Sequence, residues 1–146
     1  IKNAIDDLKM NQEVDVVVVY FHWGIEREYY ANDDQRNLAK FTIDSGADLV
    51  VGAHPHVLQG IEEYNGKQIV YSLGNFCFGG NRNPSDNDTM IYSITMNFVD
   101  GVYNDSNYEI IPCSITSASN RNNYQPMILQ GDEKDRVLKK VERYSY

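Results

Sequence analysis

A chain of 146 residues is long enough for one domain that buries about 70% of the surface its unfolded form exposes, and nothing in its composition divides it into two. Its 21 Asp and Glu against 13 Lys and Arg, a formal net charge of −8, argue against nucleic acid as a partner. No run nears the roughly 20 apolar residues of a membrane span, and no signal-peptide pattern opens the chain.

The chain has no initiator methionine, and Ile1, Ala4, Ile5 and Leu8 already take the spacing of a helix face. No capping residue precedes Ile1, so residues 1–146 read as a fragment of a longer protein that forms a single domain. Val16 to Phe21 is short, apolar and β-branched, which predicts a strand buried on both faces of a parallel or mixed sheet. A helix is the lesser reading, because four successive valines lose χ1 freedom there. His22-Trp23-Gly24 follows at the strand's end, and Ile25 to Asp34 reads as a polar, aromatic surface loop.

Asp33 or Asp34 caps the next helix, which runs to about Ser45 with Leu38, Phe41 and Thr42 towards the sheet and Gly46 as its stop. Asp48 to Val51 is the second strand. Residues 15–53 therefore make a βαβ unit with a right-handed crossover and parallel, neighbouring strands. Such strands end on one edge of the sheet, where open α/β sheets bind ligands. That edge gathers all three histidines of the chain, His22, His54 and His56.

Val57–Tyr64 and Lys67–Leu73, separated by Asn65-Gly66, predict a hairpin with a type I′ turn. Gly79 to Asp88 is a loop. Tyr92, Ile94, Met96 and Phe98 alternate with polar residues as in a half-buried strand. Asp100-Gly101 offers a turn, and Tyr108 to Ile115 a further strand that Pro112 assigns to an edge or a bulge. Residues 116–126 form a connection. Asp132 caps a closing helix that buries Val137, Leu138 and Val141. The fold class is thus α/β, a mixed sheet built on the βαβ unit and followed by antiparallel strands and a closing helix. Cys77 and Cys113 give neither a disulfide framework nor a metal knuckle, and two buried free thiols are expected.

Neutral imidazole is a good ligand for divalent transition metals. Pro55 disfavours helical geometry at His54, so His54-Pro55-His56 is expected to be extended, with both rings on one side. His22 approaches from the neighbouring strand end. A lone strand-end histidine is more often structural, but this three-histidine grouping favours metal. Trp23 reads as an indole packed beside a tight turn. Glu26 reads as a solvated loop glutamate, a ligand, a substrate contact or a partner to a ligand. Asn75 reads as a turn cap or a substrate contact. Cys77 lies near the edge, but no base accompanies it to make a nucleophile.

His22-Trp23-Gly24-Ile25-Glu26, Gln35-Arg36-Asn37-Leu38-Ala39, Ile43 through Gln59, and Tyr71-Ser72-Leu73-Gly74-Asn75-Phe76 resemble, in order, the CapA-type proteins of bacterial capsule or poly-γ-glutamate synthesis. The fold of that family is similar to the calcineurin-like metallophosphoesterases. The resemblance implies the C-terminal half of a four-layer α/β/β/α sandwich. It implies His22, His54 and His56 as metal ligands, and Trp23, Glu26 and Asn75 as substrate contacts. The cofactor implied is a divalent metal, Mn, Zn or Fe, with two ions in the intact protein and an incomplete site here. The family's Asp, acidic and Asn-His motifs, which would complete the site, do not occur in this chain, and Ala53 stands where many members carry a further histidine.

By the same resemblance the substrate is an anionic polymer or a phosphoester, and the intact protein acts outside the cytoplasmic membrane with the capsule synthesis machinery. A non-catalytic polymer-binding or assembly module, using Trp23, Tyr29 and Tyr30 beside Asn75, is the alternative. A sheet lacking its first half is expected to self-associate through its exposed edge and face.

Overall fold

The structure, a computed structural model, describes residues 1–11 and 14–146. Strands β1 (Val18–His22) and β2 (Leu49–Ala53) pair in parallel on either side of helix α2 (Asp33–Asp44), which is the expected βαβ unit. The register sets Val18 against Leu49 and His22 against Ala53, so both strands end level. Strands β3 (Ile61–Tyr64) and β4 (Lys67–Val70) complete a mixed sheet of order β1-β2-β4-β3, with β4 parallel to β2 and antiparallel to β3. Asn65 and Gly66 turn the hairpin with φ of 51° and 71°, the two positive values a type I′ turn requires.

The second half of the chain forms an antiparallel sheet of β5 (Asp88–Val99), β6 (Val102–Ser114) and β7 (Met127–Ile128), in that order. Its long hairpin turns at Asp100-Gly101 and carries a register shift at Asn97/Phe98. β6 is longer than its apolar stretch suggested. The short β7 had no signal beyond two apolar residues. Helices α1 (Lys2–Asn11) and α3 (Gly131–Tyr144) flank the sheets. Among the described residues, no helix is long and apolar enough to cross a membrane.

Two apolar clusters hold these layers together. Ile5 of α1 and Ala39 and Ile43 of α2 pack with Val50, Ile69 and Tyr71 on one side of the mixed sheet. Leu58, Ile61 and Val70 pack with Met90, Leu129, Val137 and Val141 to seat β5 and α3. Fully burying such a side chain contributes about 1.5–3 kcal/mol, and Val137 and Val141 are the fully buried contacts that α3 makes.

The structure corrects several expectations. β1 is an edge strand, and Val18 and Tyr20 are 53% and 62% exposed, so it is not buried on both faces. A run of valines carries no alternation that could have revealed the bare side. Asn32, not Asp33 or Asp34, caps α2, in a reciprocal box with Gln35. Phe41 is exposed, and the buried face is Gln35, Ala39, Thr42 and Ile43. Gln130 occupies the cap position of α3, and Asp132 lies in the first turn, where its charge complements the helix dipole. Leu138 is half-buried. Cys77 is free and exposed, and only Cys113 is buried.

Candidate metal site at the strand ends

The geometry of the edge begins with Gly52. Trp23 N–H extends the parallel ladder to Ala53 O at 3.0 Å, and its indole Nε1–H then crosses β2 to donate to Tyr71 O at 2.9 Å. A Cβ on Gly52 would lie 2.2 Å from both Trp23 Nε1 and Tyr71 O, so this crossing needs glycine. The indole also stacks on Phe21 at 4.6 Å. Its polar atom is spent on Tyr71 O, and the indole serves as the packed anchor of the turn. His22, one residue earlier, points outwards with its ring 4.6 Å from that of His54.

His54-Pro55-His56 is a tight bend, not an extended segment. His54 has φ of 100° and His56 φ of 59°, a region in which each non-glycine residue costs about 1–3 kcal/mol. The rings converge through this bend, with centroids 5.9 Å apart. Pro55 O accepts a 2.7 Å hydrogen bond from Arg27 N–H, and Arg27 itself has φ of 67°. That bond draws the loop after Trp23 over the bend and delivers Glu26. Donor atoms of Glu26, His54 and His56 all lie within 4.8 Å of one another. His22 stands beside this trio, against His54.

Two buried glutamines, to which sequence reading gave no role, fix the loop. Gln35 Nε2 donates to Gln59 Oε1 at 2.9 Å, and Gln59 Nε2 donates to Glu28 O at 2.8 Å and Tyr30 O at 3.3 Å. Gln35 Oε1 accepts from Asn32 N–H, so one side chain caps α2 and braces the site. Gly24, at φ of 82°, leaves the room this needs, since a Cβ there would meet the Gln35 amide at 2.8 Å.

Asn75 orients His56. His56 Nδ1 lies 2.7 Å from Asn75 Oδ1, and Asn75 Nδ2 donates to His56 O at 3.4 Å. An amide oxygen only accepts, so Nδ1 carries a hydrogen, and the nitrogen left to act as a ligand is Nε2. A fixed tautomer of this kind is what a ligating histidine needs.

A cleft of about 250 Å³ opens beside the trio, lined by Glu26, Arg27, His56, Asn75, Phe78 and Asp86 among others. Asp86 carries no free charge into it, because Lys140 pairs with it and Tyr29 Oη donates to it at 3.0 Å. Burial, and then Asp86, push the Tyr29 phenol above its usual range. Tyr29 stacks on Tyr144 and Tyr30 meets the same ring edge-on. The aromatic loop therefore grips the end of α3, with Tyr30 still 53% exposed.

Two imidazoles and a carboxylate suit Zn, Mn or Fe. Bonds of about 2.1 Å put donors around one ion no more than about 4.2 Å apart, so closure on an ion requires movement of about half an ångström. The residues present fit one divalent ion, with Glu26 in a ligand's position.

Residues 1–80 match the family described as "Bacterial capsule synthesis protein PGA_cap". The PGA biosynthesis protein CapA of Bacillus subtilis is 57% identical over 67 residues, 46% of this chain and 18% of that protein. The capsule biosynthesis protein CapA of Bacillus anthracis is 49% identical over 78 residues, 53% of this chain and 18% of that one. A probable polyglutamine synthesis accessory protein of Mycobacterium tuberculosis (strain CDC 1551 / Oshkosh) is 37% identical over 60 residues, 41% of this chain and 16% of that one. The matched stretches thus span less than a fifth of the length of these relatives, and the family match over residues 1–80 contains His22, His54 and His56.

Proposed function

Because the chain belongs to the family of bacterial capsule synthesis proteins, we propose that it acts in the synthesis or export of an anionic capsule polymer of the poly-γ-glutamate kind, as the part of a CapA-like protein that carries a divalent-metal site. The observation that supports this most directly is the convergence of Glu26, His54 and His56, held by the Arg27–Pro55 bond and by Asn75. His54, His56 and Glu26 would hold the ion, and His22 would flank it. When bound, such an ion supplies Lewis acidity towards a phosphoryl or carbonyl oxygen. The chain's own residues bring the ligands together, orient the His56 ring through Asn75 and shape the cleft beside them.

A dinuclear, phosphoesterase-type centre needs bridging carboxylates, and among the described residues Glu26 is the one carboxylate in the group. The remaining ligands belong to the other parts of the family domain, in a four-layer arrangement. The bare face of β1, with Val18 and Tyr20 exposed, is where we place those parts. The whole protein then works outside the cytoplasmic membrane, beside the polymer-synthesis machinery.

Calorimetric titration of the protein with Zn²⁺ or Mn²⁺ tests the reading. One ion per chain is expected, lost in the His54→Ala/His56→Ala variant and weakened about 10–100-fold by Asn75→Ala. A wild-type chain that takes up no ion would overturn it.

A further inference from the structure

We infer that a groove running from the imidazole cleft past Pro84 to Arg82 and Arg121 binds an extended, amide-linked polymer through its carboxylates. The inference deepens the proposed role in capsule-polymer synthesis and rests on that reading for the occasion of binding, but it does not depend on the metal.

The arginines point to it first. Arg36 is spent on Glu62, Arg136 on Asp88 and Arg143 on the Tyr144 ring. Arg27, Arg82 and Arg121 have no carboxylate partner among the described residues, in a chain whose net charge is −8. All three line neighbouring hollows. Arg27 lies in the cleft beside Glu26 and His56, and Pro84 forms a wall common to that cleft and to a second hollow of about 160 Å³. Arg82 and Arg121 line this second hollow and a third of about 420 Å³.

Neither of the outer hollows has a carboxylate in its lining, and Asp86 in the first is neutralised by Lys140. The two outer hollows are therefore positive in an otherwise acidic molecule, while in the first Arg27 stands beside the Glu26 carboxylate. The groove is also rigidly built. Asn122, 3% exposed, donates its backbone N–H to Arg82 O at 2.8 Å, and its Nδ2 to Phe78 O and Asn81 O at 3.0 and 3.1 Å. One buried side chain thus joins the loop bearing Arg121 to the loop bearing Arg82 and the wall of the metal cleft.

The remaining lining selects among anions. Asn83, Asn87 and Asn120 also line the second hollow, and a primary amide side chain offers both donors and an acceptor. Guanidinium forks match carboxylates in two parallel hydrogen bonds, and primary amides match the amide groups of a polyamide backbone. A polyphosphate would satisfy the arginines and the amide N–H donors but offer no donor to the asparagine carbonyl oxygens. The lining favours a chain that alternates amides with carboxylates.

Fluorescence anisotropy with a labelled γ-linked glutamate oligomer tests this on the purified protein in EDTA, where no metal contributes. Wild-type binding is expected to weaken at least tenfold in Arg82→Ala/Arg121→Ala. Arg82→Lys/Arg121→Lys should recover it only in part, because lysine keeps the charge and loses the fork. Lys139→Ala, a surface-charge control, should leave it unchanged, and matched thermal midpoints will show that the variants fold. Absence of binding by the wild type, equal binding by the double alanine variant, or equally tight binding of a polyphosphate of matched charge would overturn the inference. Because the metal titration is read separately, failure of the metal site and failure of the groove are distinguishable.

Discussion

The two ends of the mixed sheet handle polar groups in opposite ways. At the end where β1 and β2 begin, Asp48 is 5% exposed and fully partnered: Lys9 at 2.8 Å, Lys67 at 2.9 Å and Val17 N–H at 2.9 Å. Burial pushes its carboxyl up, but these three donors outweigh burial and hold it below the usual carboxylate range. At the other end, Glu26, His54 and His56 converge with Nε2 of His56 left open, on a bend with two residues at positive φ. One end ties three elements together, and the other stores strain behind free ligand atoms. Strained backbone beneath converging ligand atoms is the pattern that the proposed metal site requires.

The largest effect tests whether the functional end rests on its glycine. Gly52→Ala would force a Cβ into Trp23 Nε1 and Tyr71 O, combining overpacking with loss of a hydrogen bond to a buried carbonyl. A loss of about 3 kcal/mol or more is expected in urea unfolding, with metal uptake lost as well. An unchanged midpoint would mean that the indole crossing does not organise the edge.

The second effect probes the structural end. Asp48→Asn leaves Lys9 and Lys67 without their counter-charge and should cost about 2–4 kcal/mol at neutral pH, while metal affinity stays within about twofold of the wild type. Asp48, Glu62 and Asp88 are all held below their usual range despite burial, Glu62 chiefly by Lys40 and Tyr71, Asp88 by Arg136 and Lys140. Folded-state values below the unfolded ones give stability that is complete above about pH 5 and is lost as pH falls through the lower folded values. Asp48→Asn should flatten that acid limb. Curves for variant and wild type that stay parallel down to pH 2 would show that Asp48 is not ionised in the fold.

The contrast between the ends also explains what the sequence could disclose. Val16 to Phe21, Asn65-Gly66 and the alternation from Tyr92 to Phe98 have periods and turn chemistry that belong to one backbone each, so the βαβ unit, the tight hairpin and the half-buried strand were legible. Parallel strands ending level then bring His22 to His54 by topology alone. The bend at His54 was not legible. Pro55 argued for extension, and only the Arg27–Pro55 bond, from a loop of irregular sequence, favours the opposite. Glu26 was unresolved for the same reason, because its place depends on that bond. Trp23 and Asn75 took supporting roles that depend on the distant partners Tyr71 and His56. The exposed face of β1 was hidden by uniformity, since valines look alike whether covered or bare.

The smallest effect is the one that separates stability from function at a single position. His54 holds φ of 100° and His56 φ of 59°, and glycine adopts such values without steric penalty. His54→Gly removes the Cβ that makes the bend costly, against a somewhat larger entropy loss on folding. The ring removed is half-buried and has no hydrogen bond to lose among the described residues. The net expectation is a gain of up to about 1 kcal/mol in unfolding free energy, together with loss of metal uptake. His54→Ala keeps the Cβ, loses the same ring and should gain nothing. A gain in glycine that alanine lacks would locate the strain in the backbone at His54. Equal destabilisation of both would mean that the imidazole stabilises the fold, and the division of labour between the two ends would not hold.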